Sequence, residues 1–165
     1  MKKIIAGVFV LFLSTVSFAQ VERPVSIIPQ PVSVAAGQGS FTLTNATAVQ
    51  FDGNNKGAEN VAKYLAEKLK VPTGFDIKVT VQNSAGKGNI VFQLNKNTGN
   101  REGYELNVSS DGVVISADSA AGLFYGVQTL LQLLPKEIES PKTMPGVAWT
   151  VPAVAITDRP RFEWR

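Results

Sequence analysis

The sequence predicts an α+β fold, on three observations: several short runs alternate apolar and polar residues with period two, two separate segments carry helical periodicity, and an Asp-Gly pair joins two of the alternating runs. "IIPQPVSV", Ile27 to Val34, alternates prolines with β-branched residues and reads as an extended edge strand, because proline cannot donate within a central ladder. "FTLT" from Phe41 and "TAVQF" from Thr47 read as short strands separated by turns. "DGNNKG" breaks the pattern before "AENVAKYLAEKLK", where Ala58, Val61, Ala62, Leu65 and Leu69 form one stripe and Glu59 with Lys63 faces solvent, the pattern of an amphipathic surface helix.

Ile77, Val79 and Val81, then Ile90, Phe92 and Leu94, then Tyr104, Leu106 and Val108 alternate with polar neighbours, each run predicting a strand with one buried face. Asp111-Gly112 makes "EGYELNVSSDGVVISA" one antiparallel hairpin, with glycine supplying the positive φ that a tight turn requires. "DSAAGLFYGVQTLLQLLP" predicts a helix of about four turns, capped by Asp118 or Ser119 and stopped by Pro135. Its apolar residues cover nearly the whole circumference, so it is expected to be buried on more than one side. Gly122 and Gly126, four apart, point to another backbone approaching closely. "KEIESPKTMPGVAWTVPAV" holds three prolines and no sustained period, and reads as a wrapping connector.

The first nineteen residues, "MKKIIAGVFVLFLSTVSFA", have a basic start, an apolar run from Ile4 to Leu13, and Ser17 and Ala19 placed for cleavage. This is the pattern of a signal peptide, so export to the periplasm or beyond the cell is expected. The apolar run is too short for a membrane anchor, which needs roughly 20 residues, so no membrane association is expected after cleavage. The formal charge of +3 includes Lys2 and Lys3, and no later run of Lys or Arg argues for nucleic acid. Beyond residue 19 the chain has the length of one ordinary domain. With no Cys, a hydrophobic core rather than disulfides must hold it.

With neither His nor Cys, the chain cannot build the Ser-His-Asp or Cys-His arrangements or the usual zinc sites, and no metal or cofactor is expected. "SAGK" from Ser84 matches a Ser-x-x-Lys spacing, but it lies between two strands beside glycine and reads as a hairpin loop. "DGNNKG" lacks the spacing of a phosphate-binding loop. Glycoside hydrolysis normally wants two carboxylates across the scissile bond. Glu102, Glu105 and Asp111 share one hairpin, but Glu105 falls on the solvent side and Asp111 is a turn residue. "ITDRPRFEWR" closes the sequence with Asp158, Arg159, Arg161, Glu163 and Arg165 packed among Phe162 and Trp164, and reads as an interdomain salt-bridge network at a strand entrance.

Three stretches, "SIIPQPVSV", "EGYELNVSSDGVVISADSAAGLFYGVQTLLQLLP" and "VPAVAITDRPRFEWR", resemble in order and spacing the N-terminal domain of glycoside hydrolase family 20, the β-N-acetylhexosaminidases. The resemblance implies a small zincin-like α+β layer, with a mixed, largely antiparallel sheet and two helices packed on one face. It implies a domain from residue 20 to 150, with residues 151–165 as a linker and the start of a (β/α)8 catalytic barrel that lies beyond Arg165. It also implies a parent enzyme acting on N-acetylhexosamine-containing glycans by substrate-assisted, retaining chemistry, in which the substrate's own acetamido oxygen attacks. The adjacent Asp and Glu of that chemistry belong to the barrel, so no catalytic or substrate-binding residue transfers to this sequence. Leu123, Phe124, Val127, Leu131, Arg161, Phe162, Trp164 and Arg165 are the residues expected to pack against the barrel. A free-standing glycan- or protein-binding module, and the N-terminal domain of another exported glycosidase family, stand as alternatives.

Overall fold

The computed structural model describes residues 26–82, 87–94 and 99–161. The expected signal peptide, Ser84 to Gly86, and Phe162, Trp164 and Arg165 lie outside them. The order of elements is β1 (Ser33–Thr42), β2 (Ala48–Phe51), α1 (Lys56–Thr73), β3 (Lys78–Val81), β4 (Asn89–Leu94), β5 (Tyr104–Ser109), β6 (Gly112–Ala117), α2 (Ala120–Leu133), a 3-10 turn (Lys136–Glu139) and β7 (Thr150–Asp158). The strands form one sheet in the order β1-β7-β5-β6-β4-β2-β3. Pairs β1/β7, β7/β5 and β5/β6 are antiparallel, whereas β6/β4, β4/β2 and β2/β3 are parallel. The sheet is mixed as expected, but its parallel share is a full half. Helix α1 provides the crossover that a parallel β2/β3 pair demands.

Period two in the sequence becomes two distinct faces. In β5, Tyr104, Leu106 and Val108 are buried, while Glu105, Asn107 and Ser109 are exposed. The register carries that division across the sheet: Leu106 lies opposite Ile115 on one side and Ile156 on the other, all buried. Both helices cover this face, α1 over β2, β3 and β4, α2 over β5, β6 and β7, and they touch each other. A buried hydroxyl pair, Tyr104 to Thr129 at 2.5 Å, ties α2 to β5.

Local chemistry sets the helix ends. Asn55 caps α1, its side chain accepting from the Ala58 N–H at 2.9 Å, and Gly74 at φ 71° closes it by donating to the Lys70 carbonyl. Ser119 caps α2 by accepting from the Ala121 N–H, and the same hydroxyl donates to the Arg101 carbonyl at 2.5 Å. The expected close approach of another backbone is found at Gly122, whereas the close neighbours of Gly126 are side chains, those of Ile115 and Tyr104. A Cβ at Gly122 would collide with the backbone oxygen of Gly103, and one at Gly126 would lie 2.5 Å from Ile115.

Several expectations are corrected. Residues 27–32 are not strand: Pro29 and Pro31 withhold N–H groups from any ladder, and the Gln132 carboxamide takes the strand's place, accepting from the Ile28 N–H at 3.0 Å and donating to its carbonyl at 3.1 Å. Strand β1 then runs unbroken through "AAGQG" to Thr42, with a register irregularity between Ala36 and Ser40 absorbing the glycines. The hairpin forms, but its two loop residues are Ser110 and Asp111, neither at positive φ. Gly112 instead opens β6 at φ 155°, and a Cβ there would also meet the Asn89 carbonyl at 2.7 Å. Strands β3 and β4 do not pair as a hairpin, since both run parallel to β2 on its two sides. The face predicted for Ile77, Val79 and Val81 is covered only in part: Ile77 is buried and Val79 packs against the core, but β3 is the edge strand and Val81 is exposed.

The largest correction concerns the end of the domain. Residues 151–158, expected as linker, are β7, an interior strand pairing with β1 and β5. Pro152 is tolerated there because it lies past the end of β5's register and against the irregularity of β1, where no ladder N–H is needed.

Candidate functional site

Carboxylates are the chain's principal catalytic resource, and the fold keeps its candidates apart. Glu105 projects from the helix-free face near the start of β5, whereas Asp111 sits in the turn beyond its end, paired with Lys87 at 3.0 Å. Glu102 lies in the turn before β5, where its N–H bonds the Asn100 side chain. Among the described residues no group of three or more Asp, Glu, His or Cys is placed to hold a metal ion. Two carboxyls are held below the usual range, both by surface lysines. Glu59 is pulled down to about 2 by hydrogen bonds from Lys56 at 2.8 Å and Lys63 at 2.5 Å, and Asp76 is lowered by its hydrogen bond from Lys78. Each has a structural partner rather than a cleft.

The helix-free face carries a shallow concavity of about 600 Å3, floored by small residues such as Ala35, Gly37, Val91, Val114 and Ala155. It contains no aromatic ring on which a sugar would stack.

The outer side of the helix layer is different. Of the four α2 residues expected to meet another domain, Leu123 and Val127 are fully covered by this domain's own packing and Leu131 is 7% exposed. Helix α1 and the sheet between them satisfy most of the circumference that the sequence left without a partner. Phe124 alone of the four stays open, at 38%. It does not stand alone: its ring lies 5.3 Å from that of Tyr64 on α1 and 6.1 Å from that of Tyr125. Lys68 sits 5.9 Å over the Tyr64 ring, and Gln128 donates to the Tyr64 hydroxyl at 3.3 Å. Tyr64 was not among the expected residues. Its signal was present, an aromatic between Lys63 and Leu65 that falls outside the apolar stripe of α1.

The second feature is the exit of β7. The Asp158 carboxylate accepts from the Val32 N–H at 3.3 Å and fixes the strand end against the start of β1. Beyond it, Arg159, Pro160 and Arg161 join Val32 and Asn100 around an open recess of about 430 Å3. Arg161 is thus placed at the surface beside the domain's exit, while Phe162, Trp164 and Arg165 lie outside the described residues.

Comparison with known proteins matches this architecture. The family model described as "Glycosyl hydrolase family 20, domain 2" covers residues 24–159. A beta-hexosaminidase of Porphyromonas gingivalis is 33% identical over 153 residues, which span 91% of this chain and 19% of that protein. The N-acetyl-beta-hexosaminidase of Streptomyces plicatus superposes with a TM-score of 0.77 at 40% identity, over 84% of this chain and 27% of that one. The GH20 exo beta-N-acetylglucosaminidase of Vibrio harveyi superposes at 0.65 with 28% identity, over 84% and 20%. The chain therefore spans roughly a fifth to a quarter of the length of these relatives. With a family model matching nearly the whole described chain, and a mixed seven-stranded sheet and helix pair shared with solved members, this chain belongs to glycosyl hydrolase family 20.

Proposed function

We propose that this chain is the non-catalytic N-terminal domain of an exported β-N-acetylhexosaminidase, and that it acts by packing against a (β/α)8 catalytic barrel of the same polypeptide and stabilising it. The observation that carries the reading is the Tyr64–Phe124–Tyr125 cluster, an aromatic surface on the outer side of a helix layer whose inner side is already filled. Relatives several times longer than the matched region support a further domain for that surface to meet. The basic-apolar-small pattern of residues 1–19 supports export.

In this reading the parent enzyme releases terminal N-acetylhexosamine by substrate-assisted chemistry, and none of the described side chains touches the sugar. What the domain contributes is burial. Completing the cover of Phe124 and its neighbours is worth a fraction of the roughly 1.5–3 kcal/mol of a fully buried large apolar side chain, multiplied over the contact area.

The test is direct. The purified chain should release no aryl alcohol from an aryl N-acetyl-β-glucosaminide, whereas the full-length gene product should do so. Hydrolysis by the chain alone at enzyme-like rates overturns the reading. So does a reading frame that stops after Arg165, in which case calorimetric binding of N-acetylglucosamine oligomers becomes the activity to measure. Export is tested separately by N-terminal sequencing of the secreted product, which should begin at Gln20.

A further inference from the structure

We infer that the segment leading into β7 is a latch. Fastened to the C-terminal end of α1, it holds β7 and β1 in the sheet as one unit, and its release lets both strands part from β5 while the helices and β2–β6 stay folded. A helix leaves its last carbonyls without partners inside the helix. In α1 four consecutive ones are met from outside the ladder. The Leu69 carbonyl accepts from the Thr73 hydroxyl at 2.6 Å, and that of Lys70 from the Gly74 N–H at 2.9 Å, both local bonds. The next two, Val71 and Pro72, accept from the Thr143 hydroxyl and the Met144 N–H, each at 2.9 Å, donors 72 residues further along the chain. The Thr143 methyl also closes over Gly74, where an added Cβ would lie 3.0 Å from it.

Between Met144 and β7, Val147 packs against the core and Trp149 is buried, its carbonyl accepting from the Leu43 N–H at 2.8 Å just past the end of β1. The latch thus fixes where β7 begins. In the described sheet β1 is joined through β7 alone, so the two strands leave together. The other helix fastens the same pair. Gln132, near the C-terminal end of α2, holds both backbone groups of Ile28 ahead of β1. Because Ser33 lies opposite Thr157 and Thr42 opposite Thr150, the two fastenings sit at opposite ends of the antiparallel pair, one on each helix. Strand β1 is exposed from Ser33 to Ser40 and adds little burial of its own. Helix α1 rests on β2, β3 and β4, and α2 on β5 and β6 as well as β7, so most of the helix layer keeps its support when the pair opens.

The experiment is native-state hydrogen exchange on the purified chain across low urea concentrations. Met144, Leu43 and the ladder N–H groups of β1 and β7 should exchange with one opening free energy and one urea slope, both lower than those of β4 and β6. Thr143→Val removes the hydroxyl and keeps the shape, and it should speed exchange across that whole set by about fivefold, the effect of one lost hydrogen bond. Thr143→Ser keeps the donor and should speed it less. Ile90→Val, in β4 and paired with Val49 and Val113, should speed exchange in β4 and β6 and leave the set unchanged. If Met144 exchanges on its own, well ahead of β7, the segment merely rests on the helix and the latch is overturned. A response to Thr143→Val confined to Met144 overturns it as well. Exchange of β1 and β7 at the free energy of β4 and β6, or an equal response of all four strands to Ile90→Val, shows that the pair is not a separable unit and defeats the inference too.

Discussion

The two helices lie side by side on one sheet and are built on opposite terms. Helix α1 buries Val61, Leu65 and Leu69 and turns Lys56, Glu59, Lys63, Glu67 and Lys70 outward, with Tyr64 set beside Phe124. Helix α2 has no charged residue, buries Leu123, Val127 and Leu130 at least as deeply, and presents Phe124 where α1 presents ions. The outer face of α1 is charged except at Tyr64, which meets Phe124, and the outer face of α2 carries no charge. That difference, rather than the total apolar content of α2, locates the proposed interface.

The largest effects should come from the inner faces, where the two helices are alike. Leu65→Ala in α1 and Leu123→Ala in α2 each empty a fully buried position and should each cost about 2–5 kcal/mol in urea unfolding. A loss below about 1 kcal/mol at Leu123 alone would show that α2 is not seated as described.

Next, Gly122→Ala separates the helices. Helix propensity predicts a gain of about 1 kcal/mol. The Cβ, however, would collide with a backbone oxygen that cannot yield, so a net loss of about 1–3 kcal/mol is expected. A more stable variant would break the claim that the glycines admit the β5–β6 hairpin.

A smaller effect distinguishes the outer faces by pH. The Glu59 carboxyl titrates lower in the folded chain, at about 2, than in the unfolded one, because Lys56 and Lys63 bind its charged form. Its contribution is thus complete above the ordinary carboxylate range and is lost as pH falls through about 2. Wild type and Glu59→Gln should therefore differ in urea midpoint at pH 6 and converge near pH 2, and a difference independent of pH would sink the account. Helix α2 has no acidic or basic side chain to show such behaviour.

Smallest of all in stability is Phe124→Ser, expected within about 1 kcal/mol of wild type in the present chain because the ring is part exposed. Its effect should appear in association instead. The chain should bind a hydrophobic dye and self-associate at high concentration, and the variant should do both less. Monomeric, dye-free behaviour of the wild type would count against an unfinished face.

Much of this was legible in the sequence where structure is local. The α1 stripe, the Ser119 cap, the Pro135 stop and the β5–β6 hairpin all depend on residues a few positions apart, and each appears where its pattern lies. What was hidden depends on distant partners. Nothing near Val151 announces that Val34 and Leu106 will flank the strand it belongs to, and Pro152 argues locally against a strand at all. The parallel pairing of β3 and β4 about β2 is likewise invisible to alternation, which reports which face is buried and not who lies alongside. The candidate site was half legible. Phe124 and Arg161 could be singled out by composition, but Tyr64 and Val32 join them only through folding.

The place of β7 also sets an order of events. Strand β1 has one partner in the sheet, and that partner is made more than a hundred residues later, a long-range pairing of the kind that slows folding. Until Thr150–Asp158 is available, β1 is an uncharged strand with two open edges, a natural site for wrong pairing. The pairing of β1 therefore waits on the last described strand, and its cost falls on the refolding rate more than on the equilibrium stability.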